Sequence, residues 1–267
     1  MDRMACVNLP ELPLQLLQRR HPHWADRPVA VVEADKPQGT LLWTNTTARR
    51  YRIFPGMRYA EGLSLTGDLH AAVVPPKDIR DAIRALTETL LRFSPRIEPA
   101  CDDPGVLWVV ASGLERLYRS LENWAARICT TMQQAAFTAA VVVGFDRFGT
   151  YALAKIGRGP RVMQSPDHER SAARAAPLNR LALDKTTRGL FDKLGIRTVG
   201  EFIDLPAEAV AERFDTPIYR LYRLAAGTVD QPLQPWQLSP PAVRRIVLDH
   251  PETSRMRLMV VMERLLH

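Results

Sequence analysis

Arg96-Ile97-Glu98-Pro99-Ala100-Cys101-Asp102-Asp103-Pro104-Gly105-Val106-Leu107-Trp108-Val109-Val110 is the stretch from which the fold can be read. Arg96 to Cys101 and Val106 to Val110 read as two strands, and Asp102-Asp103-Pro104-Gly105 between them is turn chemistry. Upstream, from Asp78 to Phe93, the residues Ile79, Ile83, Leu86, Leu90 and Phe93 recur every three or four positions, which is one apolar helix face. Downstream, Leu114, Leu117, Leu121, Trp124 and Ile128 mark a second amphipathic helix. Phe137 to Val143 follows, Val-rich enough for a strand buried on both faces. Met4 to Leu9 is a further strand-like run. With residues 10 to 73 set aside, the order is strand, helix, strand, strand, helix, strand, the split pattern of a ferredoxin-like α+β sheet. The segment set aside holds the apolar run Val29 to Glu33 and a polar, Arg-rich stretch to Leu69, and reads as a subdomain inserted after the first strand. Such a sheet hosts many functions, so the fold alone assigns none.

Residues 158 to 177 are rich in Arg, Pro, Ser and Ala and read as a linker. Short helices are predicted beyond it. Thr198 and Glu201 have capping-box spacing, Gly195 ends the helix before them, and Pro206 and Pro217 break later ones. Residues 231–241 hold four prolines and read as a second linker. Ala242 to Leu248 reads as a strand and Ser254 to His267 as a helix with Met256, Met259, Val260 and Leu266 apolar. One strand and one helix cannot enclose a core, so residues 242–267 read as the incomplete start of a further domain.

The formal charge is +7, carried by 31 Arg and 5 Lys against 29 acidic residues, which suits a polyanionic partner without requiring one. Cys6, Cys101 and Cys129 lack metal-ligand spacing and read as reduced thiols. No apolar run approaches the ~18 residues of a membrane span, and no signal-peptide pattern opens the chain, so a cytoplasmic protein is expected. His21 and His23 flank Pro22 with no third ligand near and read as a surface loop. Trp108 and Trp124 read as packed, while Trp43 and Trp236 are open candidates for base stacking. Met256, Met259 and Met262 read as core of the incomplete domain.

Four segments, in order, resemble the Y-family translesion DNA polymerases. Thr44-Asn45-Thr46-Thr47-Ala48-Arg49-Arg50-Tyr51-Arg52-Ile53-Phe54-Pro55-Gly56-Met57 is similar to that family's Tyr-x-Ala-Arg-x-Phe-Gly-Val-x-x-Gly-Met. Phe93-Ser94-Pro95-Arg96-Ile97-Glu98-Pro99 resembles the run before the family's Asp-Glu pair. Ala152-Leu153-Ala154-Lys155-Ile156 is the third segment, and Leu194 to Phe202 with Leu205-Pro206 and Arg213-Phe214 resembles the thumb. The resemblance implies a palm at 1–10 and 74–157, fingers at 11–73, a thumb at 178–230 with a degenerate helix-hairpin-helix, and the start of a DNA-gripping little finger at 242–267.

The resemblance also implies what the chemistry requires. Nucleotidyl transfer uses two Mg²⁺ ions, held by hard anionic oxygens. The family supplies these from an Asp at the end of the first strand and from the Asp-Glu pair. Here those positions are Asn8 and Asp103-Pro104, and a backbone ligand falls at Pro10, so one carboxylate of three survives. Losses of this kind remove on the order of several kcal/mol of transition-state stabilisation. Asp102 and Glu11 are poor substitutes, because neighbours on a strand point to opposite faces and because Pro10 and Pro13 bracket Glu11. The aromatic sugar gate falls on Pro13, and Thr46 replaces a triphosphate-touching Tyr. Arg49 and Lys155 match the family's triphosphate-contacting cations and are candidates for remnant phosphate binding. Lys185 and Arg188, in a hairpin without paired glycines, are candidate DNA phosphate contacts.

These losses, with Leu181-Ala182-Leu183-Asp184 opening the thumb, resemble the non-catalytic ImuB-type branch of bacterial damage-induced mutagenesis. That resemblance implies DNA, the sliding clamp, a RecA-like accessory protein and an error-prone replicative-class polymerase as partners, with no metal and no cofactor of its own. Two other readings stay open. One is a weakly active polymerase using Asp102 and Asp103 with Mg²⁺ or Mn²⁺; the other is a structural protein with no DNA role.

Overall fold

The computed structural model describes residues 3–229, 231–236 and 253–266. The chain divides into two compact units, Met1–Pro235 and Trp236–His267. In chain order the first unit opens with β1 (Met4–Asn8), α1 (Leu12–Arg20), β2 (Val29–Val32), β3 (Leu41–Thr44), α2 (Thr46–Arg50), α3 (Tyr59–Leu65) and β4 (His70–Ala72). It continues with α4 (Pro76–Leu90), β5 (Ile97–Pro99), β6 (Val106–Val110), α5 (Glu115–Tyr118), α6 (Leu121–Gln134), β7 (Ala140–Gly144) and α7 (Arg147–Ile156). Then come β8 (Gly159–Val162), α8 (Pro166–Arg174), α9 (Lys185–Leu194), α10 (Val199–Ile203), α11 (Ala207–Arg213) and α12 (Thr216–Ala225). The second unit contains α13 (Arg255–Leu266), with Met256 and Met259 exposed. The predicted strand Ala242 to Leu248 lies outside the described residues. Among the described residues no helix is long and apolar enough to cross a membrane.

The main sheet has the order β5-β6-β1-β7-β8. Its first four strands pair antiparallel, and β8 runs parallel to β7. Strands β1, β5, β6 and β7 with the crossover helices α4 and α6 form the expected ferredoxin-like arrangement. The sheet is covered on both faces, and strand alternation separates the two cores. Ala5 and Val7 face a core with Leu90, Trp124 and Ile128. Cys6 faces a second core with Trp108, Val142, Leu153 and the thumb residues Phe191 and Phe202. Burial on both faces is why β1 and β7 read as unbroken apolar runs.

The inserted segment has its own three-stranded sheet, β3-β2-β4, over a small core of Ala30, Val32, Leu41, Ala48, Ile53 and Leu69. In the thumb, the Thr198 hydroxyl accepts from Glu201 N while the Glu201 carboxylate accepts from Thr198 N. Gly195, at φ 72, closes α9 as its sequence position suggested.

Three expectations are corrected. Residues 158–177 are not a free linker. They supply edge strand β8 and helix α8, which packs on α7. Pro160 and Arg161 are exposed on that edge, a place where proline is tolerated because no further strand needs its N–H. The helix predicted from Leu114 to Ile128 is two helices. Arg119 at φ 69 ends the first, and Ser120 caps the second by accepting from Asn123 N. The strand predicted from Arg96 to Cys101 is only three residues long, because the chain leaves β6 at Pro99 to form the turn. Gly105 makes that turn possible: at φ 101, any Cβ there would lie 2.5 Å from the Leu9 carbonyl oxygen.

Candidate functional site

Asn8 ends β1 between Val106 and Ala140 and is 2% exposed. Its Nδ2 donates to the Ala154 carbonyl at 3.0 Å, joining the central strand to α7. An aspartate has no N–H with which to make this bond. Leu9 N donates to the Gly105 carbonyl at 2.7 Å, which brings the Asp103-Pro104 turn beside the end of β1. The positions expected to form one site are therefore brought together. Pro10 is exposed, and Pro13 is buried in the first turn of α1, where a missing N–H costs nothing.

The surviving carboxylate is occupied. Asp103 receives Lys155 Nζ at 3.1 and 2.9 Å and the Tyr151 hydroxyl at 2.8 Å. Lys155 and Asp103 are both mostly buried. Burial, and then the charge of Asp103, push the Tyr151 phenol far up, so it stays protonated and can donate. Arg49 is similarly engaged, forming an ion pair with Glu11. Glu11, at φ 51, sits in the left-handed region just before α1. Arg49 and Lys155, the two candidate phosphate-binding cations, thus each already hold an internal carboxylate.

Asp102 and Asp103 lie in the turn, not on a strand, so strand alternation does not separate them. Burial does: Asp102 and Pro104 are exposed, while Asp103 is turned inward. The donor set does not fit a two-metal centre. Asn8 spends its amide on a carbonyl, Asp103 is neutralised by an ammonium, and proline stands where the second acid is needed. Among the described residues, no group of three or more His, Cys, Asp or Glu could hold a metal ion.

Four participants gave no signal in the sequence. Tyr151 bridges Asp103 and the Ala182 N–H, which its oxygen accepts at 3.0 Å. Glu98 and Arg147 form a mostly buried pair at 2.5 Å, with the guanidinium 4.7 Å from the Trp108 ring centre. Glu169, 1% exposed, accepts from Phe145 N at 2.6 Å and from the Thr150 hydroxyl at 2.6 Å, which fixes the turn between β7 and α7. Burial raises the Glu169 carboxyl above its ordinary range.

In the thumb, Lys185 opens α9, and its side chain lies outside the described residues. Arg188 is exposed, and its guanidinium donates to the Leu183 carbonyl at 3.3 Å, so it serves the local turn. Asp184 caps the same helix through Thr187. His21 is half-buried and His23 exposed. The His21 ring stacks on Trp24 at 3.9 Å. Trp108 and Trp124 are buried as expected, and Trp43 packs partly against the main core.

Residues 8–156, more than half of the chain, match the impB/mucB/samB family. The chain is 27% identical over 191 residues to Protein ImuB of Caulobacter vibrioides, a match covering 69% of this chain and 41% of that protein. It is 28% identical over 222 residues to DNA polymerase IV of Ectopseudomonas mendocina, covering 78% and 60% respectively. The chain therefore spans roughly two to three fifths of the length of these curated relatives. The crystal structure of DinB from Sulfolobus solfataricus superposes with a TM-score of 0.69 at 14% identity, covering 87% of this chain and 69% of that one, a likeness of fold. An insertion ternary complex of Dbh DNA polymerase superposes at 0.67. The family match spans more than half of the chain, so the chain belongs to the impB/mucB/samB family, and it resembles ImuB-type members of the Y-family polymerases.

Proposed function

We propose that this protein is a non-catalytic Y-family member that binds DNA as a scaffold in damage-induced translesion synthesis. The observation that carries the reading is the bond from Asn8 Nδ2 to the Ala154 carbonyl beside an Asp103 already paired with Lys155. A polymerase needs anionic oxygens open to metal at this place. Here the amide acts as a donor, and the remaining acid is neutralised from within. The cations that would greet a triphosphate are held by Glu11 and Asp103, so nucleotide binding would have to break ion pairs first. The net positive charge and the resemblance to polymerases support DNA as the partner. By resemblance to ImuB-type proteins, the proposed protein partners are the sliding clamp, a RecA-like accessory protein and an error-prone replicative-class polymerase.

The test is single-turnover primer extension with protein in excess, in Mg²⁺ or Mn²⁺, with Asp103→Ala as control. DNA binding is titrated against salt alongside it. No extension, with binding that weakens steeply as salt rises, is the expected result. Extension abolished by Asp103→Ala would overturn the reading, and an absence of salt-dependent binding would remove the DNA role.

A further inference from the structure

We propose that the β5–β6 hairpin, the element bearing the surviving acid, is a brace that fixes the thumb on the palm, with Asp103 and Glu98 as positioning residues. The inference deepens the non-catalytic reading and rests on it, because it needs Asp103 free of metal.

Two polar links between palm and thumb, one on each side of the thumb in the chain, end on this hairpin. On the way in, Asp103 accepts from the Tyr151 hydroxyl, and that oxygen accepts the Ala182 N–H at 3.0 Å, just before α9. Lys155 neutralises the same acid. On the way out, past α12, Glu98 on β5 accepts the Gln234 N–H at 2.6 Å. Glu98 also receives both η nitrogens of Arg147, at 3.1 and 2.5 Å, and Arg147 reaches the Gln231 carbonyl at 3.4 Å. Leu233, between these contacts, packs on the core shared by palm and thumb. The segment expected to be a free linker from residue 231 is therefore strapped to the palm over its first four residues.

The chemistry favours a fixed strap. Each carboxylate is mostly buried and accepts charge-assisted bonds, the stronger class. A carboxylate of a working metal site needs its lone pairs free. Here Asp103 spends them on Lys155 and Tyr151, and Tyr151 spends its oxygen on Ala182. The same hairpin that would present acid to metal presents acid to the two ends of the thumb. The DNA cleft between palm and thumb is then set before DNA arrives.

Hydrogen exchange on the full chain tests this. Tyr151→Phe removes one hydroxyl and leaves the ring. It should speed amide exchange around Ala182 on the order of tenfold, while β1 and β7 exchange as in the parent. Glu98→Gln should do the same at Gln231 to Gln234. Exchange raised equally across the palm strands would make these groups part of general stability and overturn the brace. Unchanged exchange at 178–184 in Tyr151→Phe would overturn it as well. Asp103-dependent primer extension is the separate result by which the non-catalytic reading fails; unchanged exchange without extension sinks the brace alone.

Discussion

Replacing Asn8 by aspartate sets an anionic oxygen where an amide nitrogen now donates to the Ala154 carbonyl across 3.0 Å. The site is 2% exposed and flanked by Val106 and Ala140. The variant loses a buried hydrogen bond, which costs about 1–3 kcal/mol because the carbonyl is left without that donor. It also buries a charge, and Lys155, the residue after Ala154, already serves Asp103. Partial sharing of Lys155 offsets some of that penalty, for a net loss on the order of 2–4 kcal/mol at neutral pH. At about 2–4 °C per kcal/mol for a chain of this size, Tm should fall by roughly 5–15 °C. The protonated acid can donate its O–H to Ala154, so the folded state holds that proton and the introduced carboxyl has a raised folded pKa. The loss is then small below the unfolded value of ~3.9 and grows as pH rises through the folded pKa. Thermal melts of parent and variant at about pH 5 and about pH 7.5, with and without millimolar Mg²⁺, measure this. A variant as stable as the parent at the higher pH, or one that Mg²⁺ stabilises, would refute the claim that the site has ceased to assemble metal.

Glu169→Gln should flatten the pH dependence of stability. Burial raises this carboxyl, so its contribution is largest below the unfolded glutamate value of ~4.3 and is lost as pH rises through the folded one; denaturant midpoints across pH report it. Gly144→Ala should destabilise by about 1–3 kcal/mol by the same assay, since a Cβ there would lie 2.2 Å from both Glu169 Oε1 and Thr150 Oγ1. Arg52, at φ 61, occupies backbone that favours glycine. Arg52→Gly should raise stability, though by no more than about 1 kcal/mol, because glycine also gains unfolded-state entropy.

The palm was legible because its periodicities are unambiguous. Ile79, Ile83, Leu86 and Leu90 fall on one face of α4, and Val141 to Val143 are buried on both sides of the sheet. Residues 158–177 escaped because nothing in them looks apolar. β8 is an edge strand with Pro160 and Arg161 in water, and α8 buries only Ala173 and Glu169. A glutamate 1% exposed reads as a surface charge until the N–H groups it accepts are seen. The break at Arg119 escaped because the apolar spacing carries straight through it, whereas only the backbone reveals the left-handed residue.

The site shows a sharper division between what sequence carries and what it cannot. Asn8, Asp103, Arg49 and Lys155 could be placed by resemblance, because each occupies a recognisable position along the chain. Whether the cations stand free could not be placed. Glu11 lies 38 residues from Arg49, and Asp103 lies 52 from Lys155, so neither pairing has a local pattern. That pairing is what changes the chemistry. A free lysine near the end of the palm sheet is a phosphate ligand in waiting, whereas one neutralised by Asp103 is part of the framework. The same holds for Glu98, whose partners Arg147 and Gln234 come from either side of the thumb. On the proposed non-catalytic reading, the loss of two carboxylates weakens metal binding. The internal pairing of the third explains something more, namely why restoring the other two at positions 8 and 104 would not suffice: Asp103 would first have to give up the lysine and the tyrosine that now hold it.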